Sequence, residues 1–561
     1  MEVCFAKKLS KICFLKMILV SGINTHADDL NDAIQQKEWQ LREQQEQQEQ
    51  ERRDARPDVR IDLPEPAPTK EPYEEKEGCF NVKEIIFQEK PPKEFGWLLK
   101  EVEKYRNSCI SQKSLSDLVK NINKIILSKG YVTSRLGLPE QNLSSGQLLL
   151  ALFPGKVDKV ISGENYIPLW QTAFPIRQND ILNIRAMEQG LEQMKRLPTQ
   201  DVTMEIQPAD ETGYSNINLD IDKKIPFILS LSIDDSGSEN TGYYQGGVNL
   251  TWDNPLFLQD QLSFGLNQAV ENDSKDSTRS NNIYYSIPYG YWLIELSHNQ
   301  FDYHQLISGS TQDFMSSGEG IDNKFDIIKT VYRSNKSRIN LFSGLTFRKR
   351  HNYINDTEVK VQQRRLTHVQ LGIRQRAYFN KGLMNLSFEI NQGTDWLDAE
   401  KRQPGKKSPN PEYTIWKTSI SFNHSFNLET QRVSFLSNWK AQWASTPIYS
   451  LDWFSVGGRY SVRGFDGNNN LGGEKGWQTR NELSWFINKS QHSLFWAVDV
   501  GGVYGKGSDG LDQNWLSGIA MGLRGQLWKF RYDAFIAQPV SYPESFDDLS
   551  STGGFVLSWV I

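Results

Sequence analysis

From Pro226 to Ile561 the chain alternates apolar and polar residues, segment after segment. In "MNLSFEIN", Met384, Leu386, Phe388 and Ile390 are interleaved with Asn385, Ser387, Glu389 and Asn391; in "GVNLTWD", Val248, Leu250 and Trp252 alternate with Asn249, Thr251 and Asp253. Such a period belongs to strands whose two faces meet different surroundings. A soluble sandwich alternates as well. Here the polar partners are as large as Glu, Gln and Asn, aromatic residues are abundant, and the chain opens with an export signal, a combination that favours an outward apolar face and a polar lumen. About 335 residues shared among roughly sixteen strands leave about 21 per strand and connection, enough to cross an outer membrane. A closed barrel satisfies its backbone in lipid without helices. The mean hydropathy of −0.57 excludes a bundle of membrane helices yet suits a barrel, which shows lipid only alternate residues.

The N-terminus, "MEVCFAKKLSKICFLKMILVSGINTHADD", has Lys7, Lys8 and Lys11 before an apolar stretch and ends in small residues. It reads as a signal peptide, residues 1–27, with Lys16 as its blemish. Cleavage removes Cys4 and Cys13 and leaves Cys79 and Cys109, an even pair in an exported protein. A disulfide is expected, with free thiols as the alternative.

Residues 28–54 are rich in Glu, Gln and Arg, with Trp39, Leu41 and Arg42 among them, and have almost no apolar face. A helix of this kind needs a polar, watery surrounding. Residues 55–77 carry five prolines and read as an extended linker rather than a packed element. Two small α+β modules follow, at 78–157 and 158–225. The first has "CFNVKEIIF" as a strand and a helix presenting Leu115, Leu118, Val119, Ile122, Ile125 and Ile126, with Ser114 and Asp117 as its capping box. The second has a helix carrying Met187, Leu191, Met194 and Leu197, then alternating strands "DVTMEI" and "SNINLDI".

One stretch within the barrel stands out: "GGRYSVRGFDGNNNLGGEKGW", Gly457–Trp477. It has the glycines of a long hairpin but places Arg463 between a valine and Gly464-Phe465. In "SLFWAVDVGGVYG", Leu494, Trp496, Val498 and Val500 form the apolar set, so Asp499 falls on the lumen face beside Ala497 and Gly501. A hairpin at 455–477 folded into the lumen would let Arg463 meet Asp499 in a bidentate contact. Spacing alone leaves open that Arg463 is an external loop charge and that Asp499 simply wets the lumen.

"SVRGFDG" resembles the inward-folded sixth-loop motif of the superfamily that holds BamA and the two-partner secretion transporters, and "WAVDVGGV" resembles its Asp-x-Gly strand. More narrowly, "CFNVKEI", "GYVTSRLGLPEQNLSSGQLLL", "LFPGKVDKV" and "ILNIRAMEQGLEQMKRLP" resemble the paired POTRA domains of the TpsB family, in its haemolysin-activator and CdiB branch. The match covers essentially everything after Ala27. It implies a transmembrane antiparallel β-barrel of about sixteen strands (226–561), two periplasmic POTRA domains, a plug helix at 28–54, and Arg463 docked on Asp499 as a structural latch. It further implies export of a large, unfolded TpsA-type exoprotein to the cell surface, with the POTRA domains catching the partner's N-terminal region. The other expected partners are outer-membrane lipid and, during biogenesis, the barrel assembly machinery; a monomer is expected. One departure concerns the end of the chain: family barrels usually finish on an aromatic, and here Ile561 is last, with Trp559 two before it.

Other classes fare worse. With 63 basic and 68 acidic residues the net charge of −5 gives no global case for nucleic acid. The six histidines of the mature chain, His298, His304, His351, His368, His424 and His492, are scattered, and HExxH, paired-Cys and Walker motifs are all missing. Neither a metal, a cofactor nor a catalytic residue is therefore expected. A BamA-like insertase would call for more POTRA modules and no plug. A passive porin would need neither the modules nor the arginine hairpin.

Overall fold

The computed structural model describes residues 39, 42–47, 49–50, 52–53, 56–63, 78–162, 170–237, 242–270, 277–308, 312–402, 409–487, 490–546 and 549–561. The expected signal peptide and Leu41 lie outside these residues.

The alternating region closes on itself. Sixteen long antiparallel strands run from Phe227–Asp234 to Thr552–Val560, which pairs back with the first; a two-residue strand, Thr357–Glu358, hangs on one rim. Side-chain exposure follows the sequence period. On strand Ser493–Tyr504, Trp496 and Val498 are 46% and 53% exposed, whereas Ala497 and Asp499 are 4% and 1%. Val248, Leu250 and Trp252 are likewise exposed on their strand, and so are Phe388, Trp416 and Trp439 on theirs. Apolar side chains thus cover the outside. The lumen takes the polar set.

The first module pairs Glu84–Phe87 parallel to Gln147–Phe153, with Arg135–Gly137 antiparallel on the other side. "CFNVKEIIF" is not one strand, as the sequence suggested. It breaks at Lys83, and Phe80–Val82 joins Ser108–Ile110 in a separate ladder. Cys79 and Cys109 stand at this ladder and are disulfide-bonded, with Cα atoms 5.3 Å apart. The helix Gln112–Ser128 buries Leu118, Ile122 and Ile126 against Phe95, Leu98, Leu148 and Leu150. Its cap also differs from the expected box: Ser111 Oγ accepts the Ser114 amide at 3.2 Å, so the helix begins three residues earlier.

The second module stacks helix Ile184–Lys195 on a sheet ordered Lys156–Ser162, Tyr214–Lys223, Gln200–Pro208. Its core holds Met187, Leu191, Met194, Val202 and Ile217. The boundary expected after residue 157 shifts slightly, because Lys156 and Val157 already pair within this second sheet.

The linker brings the clearest correction. Residues 57–63 are extended, yet Val59, Ile61 and Leu63 pack against the second module's core. Glu188 Oε1 accepts the Ile61 amide at 2.7 Å, and Arg185 donates to the Ile61 carbonyl at 3.2 Å. The expectation of an unpacked spacer followed from the proline count. It overlooked that "DVRIDL" itself alternates apolar and polar residues, and such a segment can lie on an apolar surface as a strand does.

Candidate functional site: a hairpin and a helix inside the barrel

The chain between strands Gln431–Ala444 and Lys475–Phe486 leaves the rim opposite the two modules and folds inward. A short ladder, Phe454–Val456 with Leu471–Gly473, closes it. Lys475, Gly476 and Trp477, which the expected hairpin span included, already belong to the barrel wall. Val456, Val462, Phe465 and Leu471 pack with Val503 and Leu516 of the wall, and Phe465 meets Tyr542 and Phe546 edge-on at 6.3 Å each. Phe465 is therefore an apolar anchor of the hairpin. Gly464 has φ +107°, and a Cβ there would stand 2.8 Å from the Gln538 backbone. A larger residue would be strained and would lever the hairpin off the wall. Gly501 makes room in the same way: a Cβ on it would meet Val456 at 2.8 Å.

Arg463 reaches the inner wall. Its Nε donates to Asp499 Oδ2 at 2.6 Å, its Nη2 to Oδ1 at 2.9 Å, and its backbone amide to Oδ2 at 3.2 Å. Its Nη1 donates to Glu482 Oε2 at 3.2 Å. Arg463 is 3% exposed and Asp499 1%, so neither charge has appreciable water in place of the other. Sequence reasoning missed Glu482. Glu482 also accepts from Arg524 Nη1 at 2.8 Å, and Arg524 Nε donates to Asp533 at 2.5 Å. Charges thus alternate in sign along Asp499, Arg463, Glu482, Arg524 and Asp533. Alternation within a strand can place a side chain on the lumen face. What it could not supply was the register that sets Glu482 opposite Ala497, two residues from Asp499.

The N-terminal segment is helical at residues 39, 42–47, 49, 50, 52 and 53 and runs through the lumen. Its Trp39 is buried, donates Nε1 to the Ser450 carbonyl at 2.8 Å and stacks on Trp453 with ring centres 6.1 Å apart. Gly472 of the hairpin cradles this indole: a Cβ there would overlap it. Arg42 donates to the Leu451 carbonyl at 2.6 Å, and Ser455 Oγ donates to Glu43 at 2.8 Å. Further along, Glu46 faces Lys417 at 3.4 Å, Glu49 faces Lys324 at 3.0 Å, and Arg56 pairs with Glu295. The wall is built to receive this helix: lysines answer its glutamates, and a carboxylate answers its arginine. A cavity of about 330 Å³ remains beside it, lined in part by Glu46, Lys417, Lys440, Arg374 and Gln478.

At the other rim the second module is fastened to the barrel. Arg333, in the strand Asp313–Arg333, bonds Glu188 at 3.2 Å, Gln189 at 3.1 Å, Glu192 at 2.8 Å and the Val59 carbonyl of the linker. Asp253, at the end of its barrel strand, accepts from the Thr199 amide and hydroxyl at 3.0 and 2.7 Å. One arginine thus holds module, linker and barrel together.

A sixteen-stranded barrel with an apolar exterior, a charged lumen and two small α+β modules on one rim defines an outer-membrane protein with a periplasmic domain pair. Sequence comparison narrows this. Residues 213–525 match the family model described as "Haemolysin secretion/activation protein ShlB/FhaC/HecB", residues 80–155 match "POTRA domain, ShlB-type", and residues 156–208 match "POTRA domain". The outer membrane transporter CdiB-2 of Burkholderia pseudomallei (strain 1026b) is 35% identical over 463 residues, spanning 81% of this chain and 79% of the relative. The solved structure of CdiB from Acinetobacter baumannii superposes with a TM-score of 0.85 at 26% identity, covering 94% of this chain and 99% of that one. CdiB from Escherichia coli gives 0.81 at 26% identity, covering 95% and 98%. The chain belongs to the ShlB/FhaC/HecB family of haemolysin secretion and activation proteins. It is an outer-membrane barrel with POTRA domains in the periplasm.

Proposed function

We propose that this chain is a two-partner secretion transporter, which recognises a large exoprotein through its POTRA domains and exports it unfolded through the barrel to the cell surface. The observation that carries this reading is the charge-matched helix inside a polar lumen: a conduit with its own stopper. At rest the helix occupies the lumen, bonded to the hairpin at one end and to the periplasmic rim at the other. Arg463 and Asp499 hold the hairpin against the wall as a structural latch with no chemical step. Extended partner chain would add to a POTRA sheet edge through main-chain hydrogen bonds, and the helix would then leave the pore. The outward apolar belt, with Trp416, Trp439 and Trp496 exposed on it, would contact lipid. Because the barrel closes from the strands of one chain, a single copy would suffice for a pore, folded with help from the barrel assembly machinery.

The test is secretion from intact cells. A strain deleted for this gene and carrying a large exoprotein encoded beside it should retain that protein inside, and the full-length chain should restore its export. Unchanged export in the deletion strain would contradict the reading, and a general loss of outer-membrane barrels would favour the insertase reading instead.

A further inference from the structure

The sixteen ladders of the barrel are unequal. Between the last strand and the first, Val556 to Val560 pair with Asp234 to Ser230 and Ile561 and Leu229 exchange backbone bonds of 2.8 and 3.2 Å, while at the upper end the Asp235 amide reaches the Phe555 carbonyl only at a long 3.4 Å. Above Asp235 and Phe555, residues 552–554 of strand Thr552–Val560 are without a ladder partner on the first strand among the described residues. A side chain from the hairpin stands in that gap. Arg459 Nη1 donates to Asp235 Oδ1 at 2.6 Å and its Nη2 to the Phe555 carbonyl at 3.0 Å, one fork grasping both sides of the seam. Asp235 Oδ1 also accepts the Phe555 amide at 2.8 Å, which completes a small ring of bonds across the junction. The guanidinium lies over Phe535, 5.6 Å from the ring centre, and its side chain is 16% exposed against 5% for Asp235. The next residue, Ser236, is held from the lumen too: Gln44 of the N-terminal helix donates to its carbonyl at 3.1 Å.

We propose that Arg459 is a positioning residue that staples the barrel seam shut from inside, so that seam closure depends on the hairpin being docked and on the helix being in the pore. A lysine could not do the same, since a single ammonium cannot fork to a carboxylate and a carbonyl on opposite strands with fixed geometry. Arg463 sets the hairpin on the wall. Arg459, four residues earlier, uses that placement to bridge the junction of the first and last strands. When helix and hairpin move for transport, the first and last strands lose both contacts together and keep only their backbone pairing, so the seam becomes the place where the cylinder can widen. This rests on the transport reading only for its consequence; the staple itself is a property of the resting protein.

The experiment is amide hydrogen exchange on the full chain in lipid nanodiscs, with single-channel recording in parallel. In Arg459→Ala, amides at 233–236 and 554–557 should exchange at least tenfold faster, while those of the hairpin ladder 454–456 and of strand Trp292–Ser308 stay within twofold. Arg459→Lys should fall between. Asp235→Asn should reproduce the alanine variant, which also covers the case in which Arg459→Ala does not insert. Recordings of Arg459→Ala should show added wide openings that a Ser232→Cys, Ser558→Cys disulfide across the paired seam abolishes and reductant restores. Unchanged exchange at the seam, or faster exchange spread evenly over hairpin and wall, would overturn the staple. Wide openings that persist with the disulfide formed would overturn the seam as the widening point.

Discussion

Replacing Arg463 with alanine removes two side-chain bonds to Asp499 and one to Glu482 at a site where both partners are almost fully covered. Leaving one member of a buried ion pair alone typically costs about 3–5 kcal/mol. Glu482 retains Arg524 as a partner at 2.8 Å, and Arg480 stands 3.9 Å from Asp499, so part of the loss is recovered. The lower end, about 3 kcal/mol, is therefore the better figure, and the hairpin's undocked population should rise roughly a hundredfold. Phe465 and its apolar neighbours remain, so the barrel should still insert. Amide exchange at 454–473 reads the docking directly, and the rise should be confined to the hairpin and its contacts. Arg463→Lys keeps the charge but loses the fork, and should lie roughly midway. Secretion should fall in the same order. Hairpin exchange within twofold of wild type in Arg463→Ala would refute the reasoning, because the pair would then contribute almost nothing to placement.

The other predictions concern the helix, the first module and the rim. Trp39→Ala empties the cradle at Gly472 and removes the bond to Ser450, a loss of about 3–5 kcal/mol by the usual cost of deleting a buried tryptophan; single-channel recordings should show the pore open far more often, with the barrel's heat resistance unchanged. Cys79→Ser with Cys109→Ser opens a loop of sequence separation 30 and should destabilise the first module by roughly 3–4 kcal/mol, read as a lower melting temperature of the periplasmic part alone; mass spectrometry of the unreduced wild type should show no free thiol at either position. Arg333→Ala strips Glu188 and Glu192 of a common partner and frees the Val59 carbonyl, so spin-label distances between the second module and the barrel should broaden while each part stays folded.

The period-two pattern made the barrel legible because lipid and lumen impose opposite demands on adjacent residues. The same rule put Asp499 on the lumen face, where small neighbours at Ala497 and Gly501 advertised room for a visitor. Arg463 was visible as a charge in a glycine-rich hairpin. Its second carboxylate was not, because partners across strands depend on register and not on spacing within one strand. The docked linker was masked by its prolines. Lys83 hid a strand break, because a chain can change sheets at one residue without losing its apolar period. Arg459 carried no local signal at all: its two partners lie 224 and 96 residues away, and only closure of the cylinder brings them together.

Conductance tests the central claim most directly. The full chain and a chain lacking residues 28–54 would be compared in planar bilayers under the same salt. A plugged conduit predicts small, infrequent openings for the full chain and a steady conductance several-fold larger for the shortened one. Equal conductance from the two would mean that the helix does not close the pore.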